Sequence, residues 1–236
     1  MTKLFVLAGG SGSRLKSLVS DRPKALAEVA GAPLLQHQLL NWSRQGIRDI
    51  VLLAGVMGEQ IEVFVAKEFK SKAQDLGMNI TVINETSPLG TGGAVLNALC
   101  ALNHRENFLL TNADTWLSSG LSQLASRECN SIGVVDMAFP DRYGTIELDD
   151  IGVSAFREKV SGLEAGLINA GLYFLEPRIF QVFPVGVAFS LENDVLPALV
   201  RARNLQAVML DSDFFDIGVP DDYRKFADWF TVKSRK

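Results

Sequence analysis

Apolar positions follow two rhythms along the first half of the chain, and their alternation is its main structural signal. Residues 4–8 (LFVLA) form a continuous apolar run that stops at Gly9-Gly10, which predicts a strand buried on both faces. Pro33 suits a first helical turn, Leu35, Leu39 and Trp42 follow at i, i+4 and i+7, and Gly46 supplies a stop. Residues 50–54 are again wholly apolar, after which Ile61, Phe64, Val65 and Phe69 share one helical face. A strand over 80–83, a helical stripe of Val95, Leu96, Leu99 and Leu102, and a strand over 108–110 that runs into Thr111-Asn112-Ala113-Asp114 complete this half.

The second half reads differently. Strands over 131–139 and 145–149 flank the turn Pro140-Asp141-Arg142-Tyr143-Gly144, and Asp149-Asp150-Ile151-Gly152 resembles a hairpin turn into a strand over 153–156. A strand over 172–175, a helix over 191–202 and a strand over 206–210 follow. Pro220-Asp221-Asp222 then opens a last amphipathic helix, with its acids where the helix dipole favours them. The pattern predicts a doubly wound α/β fold: a mainly parallel, Rossmann-like mixed sheet with helices on both faces and an antiparallel C-terminal part. No boundary is visible within residues 1–236, so one domain is expected.

Composition narrows the class without changing the fold. The 236 residues are 47 % hydrophobic and 21 % charged, with 20 Gly and 8 Pro, which excludes disorder, collagen and a disulfide scaffold. Twenty-three basic against 27 acidic residues give a net charge of −4, so no nonspecific nucleic-acid binder is indicated. Cys100 and Cys129 stand far apart outside any CxxC pattern and read as reduced, mostly buried small hydrophobes. His37 and His104 cannot form a histidine-rich metal site. Without an apolar run of the ~20 residues a span needs, and with an N-terminal stretch that reads as a strand rather than a signal peptide, a cytoplasmic protein away from the membrane is expected.

Candidate chemistry begins directly after the first strand, in Leu7-Ala8-Gly9-Gly10-Ser11-Gly12-Ser13-Arg14-Leu15. Glycines here let backbone N–H groups approach an anion closely, and successive amides form a phosphate nest. A P-loop requires GxxxxGK[ST], and Ser13-Arg14 after Gly12 breaks it. A dinucleotide fingerprint from Gly10 requires Gly or Ala where Leu15 stands, and the second strand ends at Ala54-Gly55 without a ribose-binding acid. What remains is a glycine loop with its own arginine, followed by Lys24 after Pro23. Two cations near a nest of amides suit a triphosphate; a plain glycine turn with surface cations is the alternative.

These residues resemble the sugar-1-phosphate nucleotidylyltransferases, whose signature is a first strand, GGxGxRL and a later PK. The likeness continues through Ser87-Pro88-Leu89-Gly90-Thr91-Gly92-Gly93-Ala94, Asn112-Ala113-Asp114-Thr115 and Tyr143-Gly144-Thr145. It extends to Phe156-Arg157-Glu158-Lys159, Asn169-Ala170-Gly171-Leu172-Tyr173 and Phe215-Asp216-Ile217-Gly218, in family order over nearly the whole chain. Within the family, the stretches 141–145, 158–160, 166–169 and 216–220 are most similar to the guanylyltransferases for D-glycero-α-D-manno-heptose 1-phosphate. Two positions depart: Ala113 stands where Gly is usual, tolerable in a β-like backbone, and Val160 replaces a Pro without removing a chemical group.

The resemblance implies Mg²⁺-dependent, in-line attack of a sugar 1-phosphate on the α-phosphate of GTP, giving GDP-sugar and pyrophosphate. No protein nucleophile is needed; cations must offset the repulsion between two anions. It implies a nucleotide-binding half over about 1–115 and a sugar-phosphate half over about 116–236. Catalytic roles fall to Arg14 on the β/γ-phosphates, Lys24 on the α-phosphate and Lys159 on the sugar phosphate. Leu7, Ala8, Gly9, Gly10, Ser11, Gly12, Ser13, Glu85, Gly90 and Thr91 fall to the nucleotide, with Glu85 a candidate acceptor for the N1–H and N2–H₂ of guanine. Asn112, Gly144, Glu158, Asn169 and Gly171 fall to the sugar, and Asp114 and Asp216 to the metal. The apolar pair Phe214-Phe215 is expected to anchor the loop of Asp216. A homodimer is compatible with this reading. Alternatives are a mannose 1-phosphate guanylyltransferase, a uridylyl- or thymidylyltransferase, a GT-A glycosyltransferase using Asp211-Ser212-Asp213, and a non-catalytic nucleotide-sugar sensor.

Overall fold

A computed structural model describes residues 2–10, 21–159 and 162–233. In chain order its elements begin with β1 (Leu4–Ala8), β2 (Glu28–Val29), β3 (Ala32–Pro33), α1 (Leu34–Arg44), β4 (Asp49–Ala54) and α2 (Gly58–Val63). There follow α3 (Lys70–Asp75), β5 (Asn79–Asn84), α4 (Gly90–Ala101), β6 (Phe108–Asn112), β7 (Thr115–Leu117) and α5 (Leu121–Ala125). The rest are β8 (Ser131–Ala138), β9 (Thr145–Leu148), β10 (Val153–Arg157), β11 (Ala165–Leu175), α6 (Leu196–Arg201), β12 (Gln206–Met209), β13 (Phe214–Asp216) and α7 (Pro220–Lys233).

Nine strands form one sheet in the order β10-β9-β11-β6-β1-β4-β5, with β8 and β12 attached through β11. β1 pairs in parallel with β4 and β6, and β4 with β5, whereas β11 runs antiparallel to both β6 and β8. The expected doubly wound, mainly parallel front with an antiparallel back is therefore the observed fold. Alternating side chains of β1 supply both faces: Leu4, Val6 and Ala8 join the core beneath α1, α2, α3 and α5, while Phe5 joins the core beneath α4 and α6. Strands covered on both faces are apolar throughout, which is why runs rather than alternation mark them.

After β1 the chain fills β4 and β5 on one side, then returns to place β6 on the other. The carboxyl ends of β1 and β6 thus border a topological switch point, where open α/β sheets bind ligands. A two-stranded ribbon of β7 and β13 stands just beyond β6. A third apolar cluster of Val29, Leu34, Trp116, Ile217 and Phe226 backs it, with Phe215, Trp229 and Phe230 packed on its rim.

Several local expectations are corrected. Cys100 is exposed and Cys129 half-buried, because Leu96 and Leu99 take the covered face of α4; both thiols are free. Leu102 is exposed as well, lying just past the end of α4. The helical face from Ile61 to Phe69 is broken by a five-residue π turn over Phe64–Glu68, and the helix from 191 opens with another over Leu191–Val195. The strand expected at 172–175 begins at Ala165. None of the helices in the described residues is long and apolar enough to cross a membrane.

Candidate active site

Two clusters of the expected residues form at the carboxyl edge of the sheet, bridged by β1. The first surrounds the start of the glycine loop. A Cβ placed on Gly55 would meet the Gly9 carbonyl oxygen at 2.7 Å and its Cα at 2.9 Å, so two glycine backbones pass in contact. Glu85 follows β5; its N–H donates to the Ala54 carbonyl at 2.9 Å, and its Oε1 lies 3.5 Å from where a Gly9 Cβ would stand. The Leu89 amide donates to Glu85 Oε2 at 3.1 Å. Burial pushes the Glu85 carboxyl above the usual range, against the opposing pull of that amide.

The second cluster is built on the turn between β6 and β7. Lys24, on a single 3₁₀ turn after Pro23, donates to Asp114 Oδ2 at 2.7 Å, with the lysine side chain 12 % and the aspartate 35 % exposed. Asp216 closes β13 opposite Thr115 in register, and Ile217 N–H donates to the Asp114 carbonyl at 2.8 Å, so Asp114, in the turn just before β7, and Asp216, at the end of β13, lie at the same end of one ribbon. Phe215 anchors that ribbon against Phe226 and Trp229, and Phe214 against Tyr143. Ala113 is not among the non-glycine residues with positive φ, so the place of the usual glycine makes no demand for one.

Asn112 and Gly171 meet across β6 and β11: Gly171, at φ +65°, leaves only 3.0 Å between a Cβ position and Asn112 Nδ2. Asn169 accepts from the Gly171 amide at 2.8 Å and donates to the Tyr173 hydroxyl at 2.7 Å. That phenol is fully enclosed and burial raises its pKa far above the ordinary value, so it serves as a neutral acceptor. Tyr143 is pushed up to about 12 by burial first and then by the negative charge of Asp216 and Asp222. Arg142 bonds Asp222 at 2.5 Å, joining the turn at 140–144 to α7.

The remaining expected residues lie further out. Gly144 has no room for a side chain, since its Cβ would stand 2.7 Å from the Arg157 carbonyl; it lets the strand carrying Glu158 and Lys159 close in. Both of those side chains are exposed at the end of β10. Gly90, at φ +69°, faces the Phe189 carbonyl at 2.5 Å from a Cβ position, and the amides of Gly92 and Gly93 donate to that same carbonyl. Thr91 donates to Glu192 Oε2 at 2.6 Å and accepts from the Leu191 amide at 2.8 Å. In this structure, then, Gly90 and Thr91 seat the segment at 189–192, next to the Leu89 amide that holds Glu85. Leu7, Ala8 and Gly10 lie at the end of β1; Ser11, Gly12, Ser13 and Arg14 lie outside the described residues, as does Val160.

Sequence reasoning missed Gly55 and the buried amides of α1. Gln38 donates to the carbonyls of Ala113 and Thr115 at 2.8 and 3.2 Å, and Asn41 to that of Leu117 at 2.7 Å. The available signal was a pair of amides interrupting the apolar stripe of Leu35, Leu39 and Trp42. Among the described residues no group of three or more His, Cys, Asp or Glu is arranged to hold a metal. Asp114 and Asp216 nevertheless fit a hard divalent cation that takes one or two carboxylates and completes its shell with water and phosphate. An ammonium already sits on one of them.

The model of the nucleotidyl transferase family matches residues 3–231. The chain belongs to that family. The D-glycero-α-D-manno-heptose 1-phosphate guanylyltransferase of Campylobacter jejuni is 36 % identical to this nucleotidyl transferase, over 94 % of this chain and 97 % of its own. The mannose-1-phosphate guanylyltransferase catalytic subunit beta of Drosophila melanogaster is 33 % identical over 94 % of this chain, which spans 61 % of the fly protein. Among solved structures, HddC of Yersinia pseudotuberculosis, crystallised with GMP-PN, is 30 % identical with a TM-score of 0.82, covering 98 % of this chain and all of that one.

Proposed function

We propose that this nucleotidyl transferase joins a manno-configured heptose 1-phosphate to GTP, forming a GDP-sugar and releasing pyrophosphate. The observation that carries the reading is the end-to-end likeness to the Campylobacter heptose 1-phosphate guanylyltransferase, each chain covered almost completely. The cationic and acidic rim at the switch point supports it. In the reaction an oxygen of the sugar phosphate forms a bond to the α-phosphorus, and the bond from that phosphorus to the β-phosphate oxygen breaks. The nucleophile is already an anion at neutral pH, so positioning and charge neutralisation are the chain's task.

In this reading Lys24 turns from Asp114 toward the α-phosphate, where charge develops in the transition state. Arg14 steadies the leaving pyrophosphate, and Gly9, Gly10 and the loop at 11–13 offer amides to the phosphates with Leu7 and Ala8 behind them. Asp114 and Asp216 would hold Mg²⁺, which when bound would supply positive charge to offset the repulsion between the reacting phosphates. Lys159 receives the sugar phosphate, while Glu158, Asn169, Asn112, Gly144 and Gly171 shape the sugar's place. Glu85, half-buried beside Gly9, accepts the two guanine donors; Gly90 and Thr91 support it through Leu89.

Pyrophosphate release with Mg²⁺ is expected with GTP and heptose 1-phosphate, and to fall sharply with UTP, dTTP or CTP. Preference for another base would overturn the guanylyl assignment and leave the reaction class. Mannose 1-phosphate is the second acceptor to test, on the likeness to the fly protein; turnover faster than with the heptose substrate would make it the substrate.

A further inference from the structure

We propose that Gln38 is a positioning residue that aims the Asp114 carboxylate; the proposal rests on the metal-binding role assigned to Asp114 above. Gln38 is 1 % exposed on α1, where Leu34, Leu35, Leu39 and Trp42 are buried around it. Burying an amide there is unfavourable unless its hydrogens are satisfied. Both are, by the carbonyls of Ala113 and Thr115, the two residues flanking Asp114.

The consequence is geometric. The Ala113 carbonyl belongs to the peptide plane before the Asp114 Cα, and the Asp114 carbonyl to the plane after it. Gln38 fixes the first, and the Ile217 amide, at 2.8 Å, fixes the second. With both planes held, φ and ψ of Asp114 are set, and with them the direction in which its side chain leaves the turn. Of the seven polar residues buried among the described residues, Gln38, Asn41, Thr111 and Thr115 all lie in or against the segment at 111–117. Asn41 is the natural comparison. It is equally a buried amide of α1, but it binds the Leu117 carbonyl, three residues beyond Asp114.

The test compares wild type, Gln38→Met, Asn41→Leu and Asp114→Ala. Uptake of Mn²⁺ alone is followed by loss of the free-ion EPR signal, beside kcat and KM for pyrophosphate release. Gln38→Met is expected to weaken Mn²⁺ uptake and lower kcat by about 10- to 100-fold, with KM for GTP within about twofold, as when a partner that orients a metal ligand is removed. Asn41→Leu is expected to lower thermal stability similarly while leaving Mn²⁺ uptake near wild type. Should Gln38→Met not fold, Gln38→Asn, which keeps the amide but falls one methylene short, is read in the same way. Equal Mn²⁺ uptake in wild type and the Gln38 variant, equal weakening in both α1 variants, or uptake indifferent to Asp114→Ala overturns the proposal. Absence of pyrophosphate release by wild type, with Mn²⁺ uptake still dependent on Asp114 and Gln38, removes the proposed reaction and leaves the positioning role standing.

Discussion

Replacing Gly55 by alanine tests whether the contact between two glycine backbones is what places the start of the glycine loop. The added Cβ would stand 2.7 Å from the Gly9 oxygen, 0.7 Å short of the 3.4 Å at which ordinary contact begins, with the Gly9 Cα at 2.9 Å. No flexible side chain can absorb this, because the offending atoms are backbone and the flanking residues Ala8 and Ala54 are locked in parallel register. Overpacking of this kind costs about 1–3 kcal/mol of stability. The larger effect falls on activity: a displacement of roughly 1 Å at a positioned group can cost about 100-fold, so a fall of about 10- to 100-fold in kcat/KM for GTP is expected. Steady-state pyrophosphate release gives the activity and denaturant unfolding gives the stability. Gly46→Ala, a left-handed position at φ +88° with no described atom within 4 Å of a Cβ, supplies a comparison at the opposite edge of the sheet. It should lose about 1 kcal/mol of stability and no activity. If Gly55→Ala unfolds normally and turns over GTP like wild type, or if both variants lose activity in proportion to stability, the loop is not placed by that contact.

Asp114→Ala and Lys24→Ala are each expected to lower kcat by orders of magnitude with the fold retained by circular dichroism; normal turnover by both variants would refute their roles. Glu85 carries a raised pKa, so the folded state holds its proton more tightly than the unfolded chain and the ionised group opposes folding. The sign is therefore that Glu85→Gln raises the melting temperature at neutral pH, an advantage that shrinks as acid protonates the wild-type group. The same variant should lose the preference for GTP over UTP; unchanged preference would remove Glu85 from base recognition. Lys159→Met, altering an exposed side chain, should raise KM for the sugar phosphate without moving the melting temperature, and an unaltered KM would place the acceptor phosphate elsewhere.

The parallel core of the fold was legible because β1, β4 and β6 are covered on both faces and leave apolar runs. The ribbon of β7 and β13 was not, since each strand has three residues and its partner lies about a hundred positions away. The front of β11 was hidden by Gly166, Asn169 and Gly171, residues that a smooth strand disfavours but that this irregular one uses. For the site, motif order pointed to Lys24, Asp114 and Asp216, which the fold gathers at one rim. Gly55 and Gln38 carry their meaning only in the tertiary structure: one matters through the backbone passing beside it, the other through two carbonyls 75 and 77 residues ahead. Gly90 and Thr91 illustrate the converse, glycine-rich residues whose space is taken by the chain at 189–192.

The pairing of Thr115–Leu117 with Phe214–Asp216, backed by the aromatic side chains of α7, also dictates when a newly made molecule can begin to work. A nascent polypeptide emerging to residue 209 already possesses every strand of the large sheet. It still lacks the second carboxylate and the helix that presses it home. With Asp216 in its proposed role, competence waits until residues 214–233 have been made, and trimming α7 should abolish turnover long before it dissolves the sheet.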